Sequence, residues 1–237
     1  MAKDIIADTL AGTILDLAKR VEALLTRQQS SDPPSRILVA LAGVPGSGKS
    51  TVSQALLSEL AARGVDDVTV VPMDGFHYTK KTLSSLANPA EAFKRRGAPF
   101  TFDASAFVAL VKSIKNLPVT GPENPEQFLY APSFDHAIQD PIENAIPISS
   151  RNRLIIIEGN YTLLDEDPWR EVATLCQEKW FVDVPRDVVL DRLVQRHLVA
   201  GIETDVQKSI ERVEENDLVN GDSIRASLIT PDVIVEN

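Results

Sequence analysis

The sequence predicts an α/β fold, a mostly parallel five-stranded sheet with helices on both faces. Two observations carry that expectation: short, uniformly apolar runs that read as buried strands, and helix-period segments lying between them. A third shapes it, since residues 75–148 are too many for a plain connection between two core strands.

The run Ile37–Ala42 is apolar throughout and ends at Gly43, the pattern of a strand covered on both faces. Val68–Met73, Leu154–Ile157, Trp180–Val184 and the short Val233–Val235 repeat the pattern. A helix is expected from Lys49 to Arg63, with Val52, Leu56, Leu57 and Leu60 facing inward and Gly64 closing it. Further helical patterns cover 103–116, 168–178, 186–199 and 203–217. Strands alternating with helices give crossovers that bury a parallel sheet between helical layers.

Ahead of the first strand, Ile6, Leu10, Ile14, Leu17, Val21 and Leu24 recur at spacings of three and four, one apolar stripe of a helix over 4–28. Residues 1–30 are expected to pack on the core. A targeting helix is the competing reading, but such helices are poor in acids, and Asp4, Asp8 and Asp16 interrupt this one. The linker Ser30–Ser35 then leads into one domain over 36–237, with an insertion at 75–148 and a lid region at 186–217. Several of the chain's 15 prolines fall between 118 and 147, and only 103–116 of the insertion looks strongly helical. Long segments of this kind are usually functional, so the insertion is expected to bind a substrate.

The net charge of −10 argues against a partner of nucleic acid or acidic membrane, which both reward basic surfaces. It leaves small anions open, because surface charges beyond about 8 Å are largely screened at physiological salt. Cys176 is the single cysteine, so no intrachain disulfide can form and a reducing compartment is expected. No apolar run approaches the ~18 residues that suggest a membrane span. The sequence reads as that of a cytoplasmic monomer or homodimer.

One motif carries chemistry by itself. Gly43-Val44-Pro45-Gly46-Ser47-Gly48-Lys49-Ser50 matches G-x-x-x-x-G-K-[ST] in full, between a predicted strand and a predicted helix. Glycines let successive backbone N–H groups converge on phosphate oxygens, and the following helix turns its positive end to the same anion. Lys49 adds a charge for the β- and γ-phosphates, and the Ser50 hydroxyl suits Mg²⁺. The fold class is therefore that of a P-loop NTPase, with ATP and Mg²⁺ as expected cofactors. Gly43 through Thr51 form the expected cradle. A glycine turn without ligand is the bland alternative, and the strand–helix context speaks against it.

In open parallel sheets, ligands bind outside the carboxyl ends of the strands. Two acids sit there. Glu158 ends the strand Leu154–Ile157 and is a Walker-B-like candidate for Mg²⁺; the alternative is a strand-end residue capping a turn. Asp74 follows the second strand and is placed to accept a hydroxyl proton; the alternative is an Asx turn before Gly75. Arg95 and Arg96 suggest an anionic or polyhydroxylated acceptor, against plain surface charge. The three histidines, at 77, 136 and 197, match no zinc spacing.

The P-loop, Pro72-Met-Asp74-Gly75-Phe76-His77-Tyr78, Arg95-Arg96-Gly97-Ala-Pro-Phe-Thr-Phe-Asp103, Phe134-Asp135-His136 and Ile156-Ile-Glu158-Gly159 recur in an order that resembles the phosphoribulokinase/uridine kinase family of P-loop kinases. The D-G-F and R-x-G segments are most similar to type I pantothenate kinase and a less characterised branch beside it. The resemblance implies transfer of the γ-phosphate of ATP to a small hydroxyl-bearing acceptor. It implies Asp74 as general base, Glu158 as the magnesium-associated acid and Arg196 as a lid arginine on the transferred phosphate. Arg192, four residues earlier on the same helical face, would join the nucleotide site; a solvated helix face is the alternative for this pair. By the same likeness His136 lies beside the acceptor. His77 and Tyr78, where pantothenate kinases read differently, and Arg96, for its charge, complete the expected substrate-binding set. Asn216-Asp217-Leu-Val-Asn220-Gly221 resembles a segment of this branch found near the nucleotide. A nucleotide-dependent switch without an acceptor is the alternative function. It would call for an N-K-x-D or L-S-G-G-Q signature, and neither occurs.

Overall fold

A computed structural model describes residues 2–135 and 137–237, with side chains described from residue 10 onward. His136 and the Ile6 side chain therefore lie outside the described residues. Seven strands are present among them: β1 Ile37–Gly43, β2 Val68–Pro72, β3 Phe128–Asp135, β4 Asp140–Ser149, β5 Leu154–Glu158, β6 Glu178–Asp183 and β7 Val233–Glu236. Five form one sheet in the order β2-β5-β1-β6-β7, parallel at every pairing. The all-apolar runs earn their place. Every residue of β1 and β5 is buried, because helices cover both faces of a parallel sheet. The register pairs Leu41 and Pro72 with Glu158, and Gly43 with Val182, so four carboxyl ends meet at one edge.

The first helix runs Ala2–Ser31 and packs on the helix Lys49–Ala62. It buries Ile14, Leu17, Val21 and Leu24, as the stripe predicts. Arg20 also pairs with Glu178 at 2.5 Å, and the same carboxylate accepts the Trp180 indole N–H at 2.8 Å. The helix is thus pinned to the start of β6. At the foot of β1, the buried Arg36 guanidinium donates to the carbonyls of Asn152, Ile114 and Ser149. Burial lowers its pKa to about 10. Through Ile114 this side chain ties the helix Ala104–Asn116 of the insertion to the foot of the sheet.

Three expectations need correction. The insertion is not irregular outside 103–116. It contains helices Lys80–Ser84 and Pro89–Lys94, and β3 and β4 form an antiparallel hairpin. Pro132, Pro141 and Pro147 lie in these strands, and proline normally argues against a strand. Here the pair has two edges and a register shift between Ala131 and Ser133, where proline is tolerated. The expected helix 203–217 becomes Val206–Arg212, a π-helical turn Val213–Asp217 and a continuation Leu218–Ala226. The helix 168–178 shrinks to Arg170–Leu175.

Candidate active site

The loop after β1 is shaped by its glycines. Gly46 and Gly48 take φ of 76° and 89°, the left-handed region that glycine occupies at no steric cost. A Cβ on Gly46 would meet Leu193 at 2.8 Å, and one on Gly48 would collide with the Asn237 amide. Gly43 lies packed under the loop, against Ser47 and the Val182 carbonyl. The helix Lys49–Ala62 then starts with its N-terminal end under the turn.

Lys49 is buried, and its Nζ donates to the Val44 carbonyl at 3.2 Å and to Asn160 Oδ1 at 2.7 Å. Burial lowers its pKa, Arg196 adds to that effect, and Glu158 and Asp74 oppose it. Glu158 is also buried. Its carboxyl is pushed up to about 7, chiefly by burial and further by Asp74, with Lys49 pulling the other way. The Ser50 hydroxyl donates to Glu158 Oε2 at 3.5 Å.

Asp74 sits in the 3₁₀ turn Met73–Phe76, directly after β2. Two close approaches fix that turn. A Cβ on Gly75 would collide with the Pro132 carbonyl of β3, and one on Gly159 would collide with Met73. Asp74 is thereby wedged between the hairpin and the end of β5. The His77 Nδ1 lies 2.8 Å from the Asp74 carbonyl, an acceptor only, so that nitrogen carries the proton. The His77 ring packs between Phe102 and Phe134, tilted to them by 38° and 44° at centroid distances of 3.9 and 4.7 Å.

A cleft of about 730 Å³ unites these groups: Pro45, Gly46 and Gly48 to Thr51, then Asp74, His77, Arg96, Glu158, Arg192 and Arg196 all line it. Arg192 reaches the Ser47 and Asn237 carbonyls at 3.3 and 3.4 Å. Behind Arg196, the His197 ring stands 3.5 Å from Asp217. Burial lowers the His197 pKa to about 4, with Arg196 and Arg212 adding to it, so the ring is neutral near pH 7. Gly43, Val44, Ser47 and Tyr78 are not among the described lining residues. Gly43 and Ser47 support the loop from below, Val44 borders a neighbouring apolar cavity of about 600 Å³, and the Tyr78 main chain bonds Thr101 and Arg96. Arg96 reaches the cleft but is largely engaged, with the Gln139 and Tyr78 carbonyls at 2.7 and 3.0 Å and Asp140 at 3.2 Å.

Several lining residues escaped sequence reasoning. Asn160 follows Glu158-Gly159 and touches Lys49. Asn216 and Asn220 line the cleft while accepting from Arg95, each at 3.0 Å, and Asn216 donates back to the Arg96 carbonyl at 3.2 Å. Their segment was flagged by resemblance alone. Its geometry, a π turn that sets both amides toward Arg95, left no local signal.

A family model described as "Phosphoribulokinase / Uridine kinase family" matches residues 38–233, from β1 into β7. The chain belongs to that family. A Schizosaccharomyces pombe protein named "Putative uridine kinase" is 39 % identical over 222 residues, covering 93 % of this chain and 89 % of the relative. A crystal structure of a "putative fructose transport system kinase" from Silicibacter is 35 % identical with a TM-score of 0.77, covering 92 % of this chain and 98 % of that one. YFH7 from Saccharomyces cerevisiae superposes with a TM-score of 0.78 over 94 % of this chain and 98 % of its own, at 24 % identity, a likeness of fold. Membership makes the protein a phosphotransferase, an ATP-dependent kinase of the P-loop class. Among the described residues no helix is long and apolar enough to cross a membrane.

Proposed function

We propose that the chain transfers the γ-phosphate of ATP to a hydroxyl of a small metabolite, pantothenate-, nucleoside- or sugar-like, by in-line displacement. The observation that carries this reading is the single cleft shared by the phosphate loop, Asp74, Glu158 and Arg196. The backbone of Gly43 to Thr51 and Arg192 hold the nucleotide. Lys49 and Arg196 face the charge that develops on the moving phosphoryl group. Asp74 accepts the proton of the attacking hydroxyl. His77, Arg96 and, outside the described residues, His136 form the acceptor side, with Tyr78 supporting it.

Ser50 and Glu158 would hold Mg²⁺. They fit it: a buried carboxylate that makes no ion pair among the described residues touches a hydroxyl at the foot of the cradle. No group of three or more His, Cys, Asp or Glu able to hold a metal occurs among those residues, which suits an ion completed by phosphate oxygens and water. When bound, the ion neutralises phosphate charge. The names of the relatives, a uridine kinase and a fructose-system kinase, favour a polyhydroxylated acceptor. His77 and Phe134, their rings tilted against one another, line the cleft beside Asp74. The lone cysteine suits a cytoplasmic setting, and the reading calls for no more than a monomer or homodimer.

The test is MgATP consumption against a panel of pantothenate, uridine, cytidine, glycerate, fructose and nicotinamide riboside. Stimulation by one class of acceptor is expected. Equal basal hydrolysis with every candidate, raised only by a protein partner, would overturn the reading in favour of a switch.

A further inference from the structure

Lys49 is tethered by neutral oxygens. Its Nζ donates to the Val44 carbonyl and, at the shorter distance of 2.7 Å, to the side chain of Asn160, while Glu158 and Asp74 act on it only at longer range. An ammonium group has three donors and no acceptor, so the oxygen end of the amide must face it. The contact joins residues 111 apart in sequence. It exists because Gly159 lets the end of β5 turn tightly against Met73, which delivers Asn160 to the mouth of the P-loop. Asn160 is itself a lining residue of the cleft.

We infer that Asn160 is a positioning residue for phosphate binding: its uncharged amide holds the Lys49 ammonium at the mouth of the loop while adding no charge of its own to offset it. The inference rests on the reading of the P-loop as a nucleotide cradle. A lysine stem is flexible and strongly hydrated, and ordering it at the moment of binding costs affinity. The amide orders it beforehand. A carboxylate at the same place would order it equally well but would neutralise it and repel the incoming phosphates. The choice of amide over acid is therefore the informative feature.

The test is calorimetric titration of the purified chain with MgADP, alongside thermal melts. Asn160→Ala is expected to bind about tenfold more weakly, the usual scale for a lost hydrogen bond to a charged group. Asn160→Asp, although isosteric, is expected to bind about a hundredfold more weakly, because it keeps the tether but neutralises the ammonium and repels the incoming phosphates. Both variants should melt with the wild type. A merely structural asparagine gives the reverse ranking, with aspartate milder than alanine and affinity falling together with melting temperature. That result overturns the inference, as does wild-type affinity in either variant. If the wild-type chain itself binds no MgADP, the cradle reading falls as well, so the two failures are distinct.

Discussion

The two walls of the cleft are built from different materials. The proposed nucleotide wall is largely main chain: Pro45, Gly46 and Gly48 to Thr51, wrapped by glycine conformations over the end of β1, with Gly43, Val44 and Ser47 behind them. The proposed acceptor wall is side chains drawn from distant segments, with Asp74 and His77 from one turn, Arg96 from another and Phe134 from the hairpin, while Asn216 and Asn220, from the π turn and the helix after it, line the same cleft. The first takes its shape from one short run of backbone, seated against Val182, Leu193, Asn160 and Asn237. The second is assembled by contacts between those segments, such as Arg95 to Asn216 and Asn220, and Gly75 to Pro132.

That separation can be broken from either side. The largest effect belongs to Lys49→Ala, which should lower MgADP affinity at least a hundredfold and abolish turnover, read by calorimetry and by ADP release. Next comes Asp74→Asn. Turnover should fall by about 10²–10⁴, the range of a lost general base, while ATP affinity stays within a few-fold. A collapse of ATP binding instead would make Asp74 a structural member of the nucleotide wall.

Gly75→Ala probes the seam. Its Cβ collides with the Pro132 carbonyl, so the chain should lose roughly 1–3 kcal/mol of stability, as overpacked sites do. The acceptor KM should rise with MgADP affinity unchanged. Equal losses on both sides would show that the walls do not act separately.

The last test concerns pH. The folded Glu158 carboxyl keeps its proton to about 7, against an ordinary 4.5, because it is buried. The folded state then binds more protons than the unfolded one, so this group lowers stability progressively as pH rises from about 4.5 to about 7, by roughly 3 kcal/mol at full extent. His197 acts in the opposite sense. Its depressed value of about 4, against 6.5, makes folding more favourable as pH rises through that interval. The wild-type slope is thus a balance, and Glu158→Gln isolates one arm. By urea unfolding the variant should match the wild type near pH 4 and exceed its stability at pH 8.

The same division governs what the sequence discloses. The five sheet strands were readable because burial on both faces leaves an uninterrupted apolar run, and Asp74 and Glu158 because the sheet places their strand ends together. The P-loop is a local pattern with a local cause. The hairpin was hidden by prolines that only its edges tolerate, and the helix after 203 by a π turn with no propensity signal. Asn160 was hidden for a third reason: its partner is 111 residues away, and nothing in Glu158-Gly159-Asn160 by itself announces a lysine. Arg96 shows the converse, a residue singled out for its charge that is largely engaged by Asp140 and two carbonyls.

The central claim is that nucleotide and acceptor meet over Asp74 in one cleft. A crystal structure of Asp74→Asn with MgATP and the acceptor that stimulates turnover tests it directly. The account predicts the γ-phosphate beside Lys49 and Arg196, and an acceptor hydroxyl within hydrogen-bond reach of residue 74. An acceptor seated in the apolar cavity beyond Val44, or anywhere out of reach of that side chain, would contradict it.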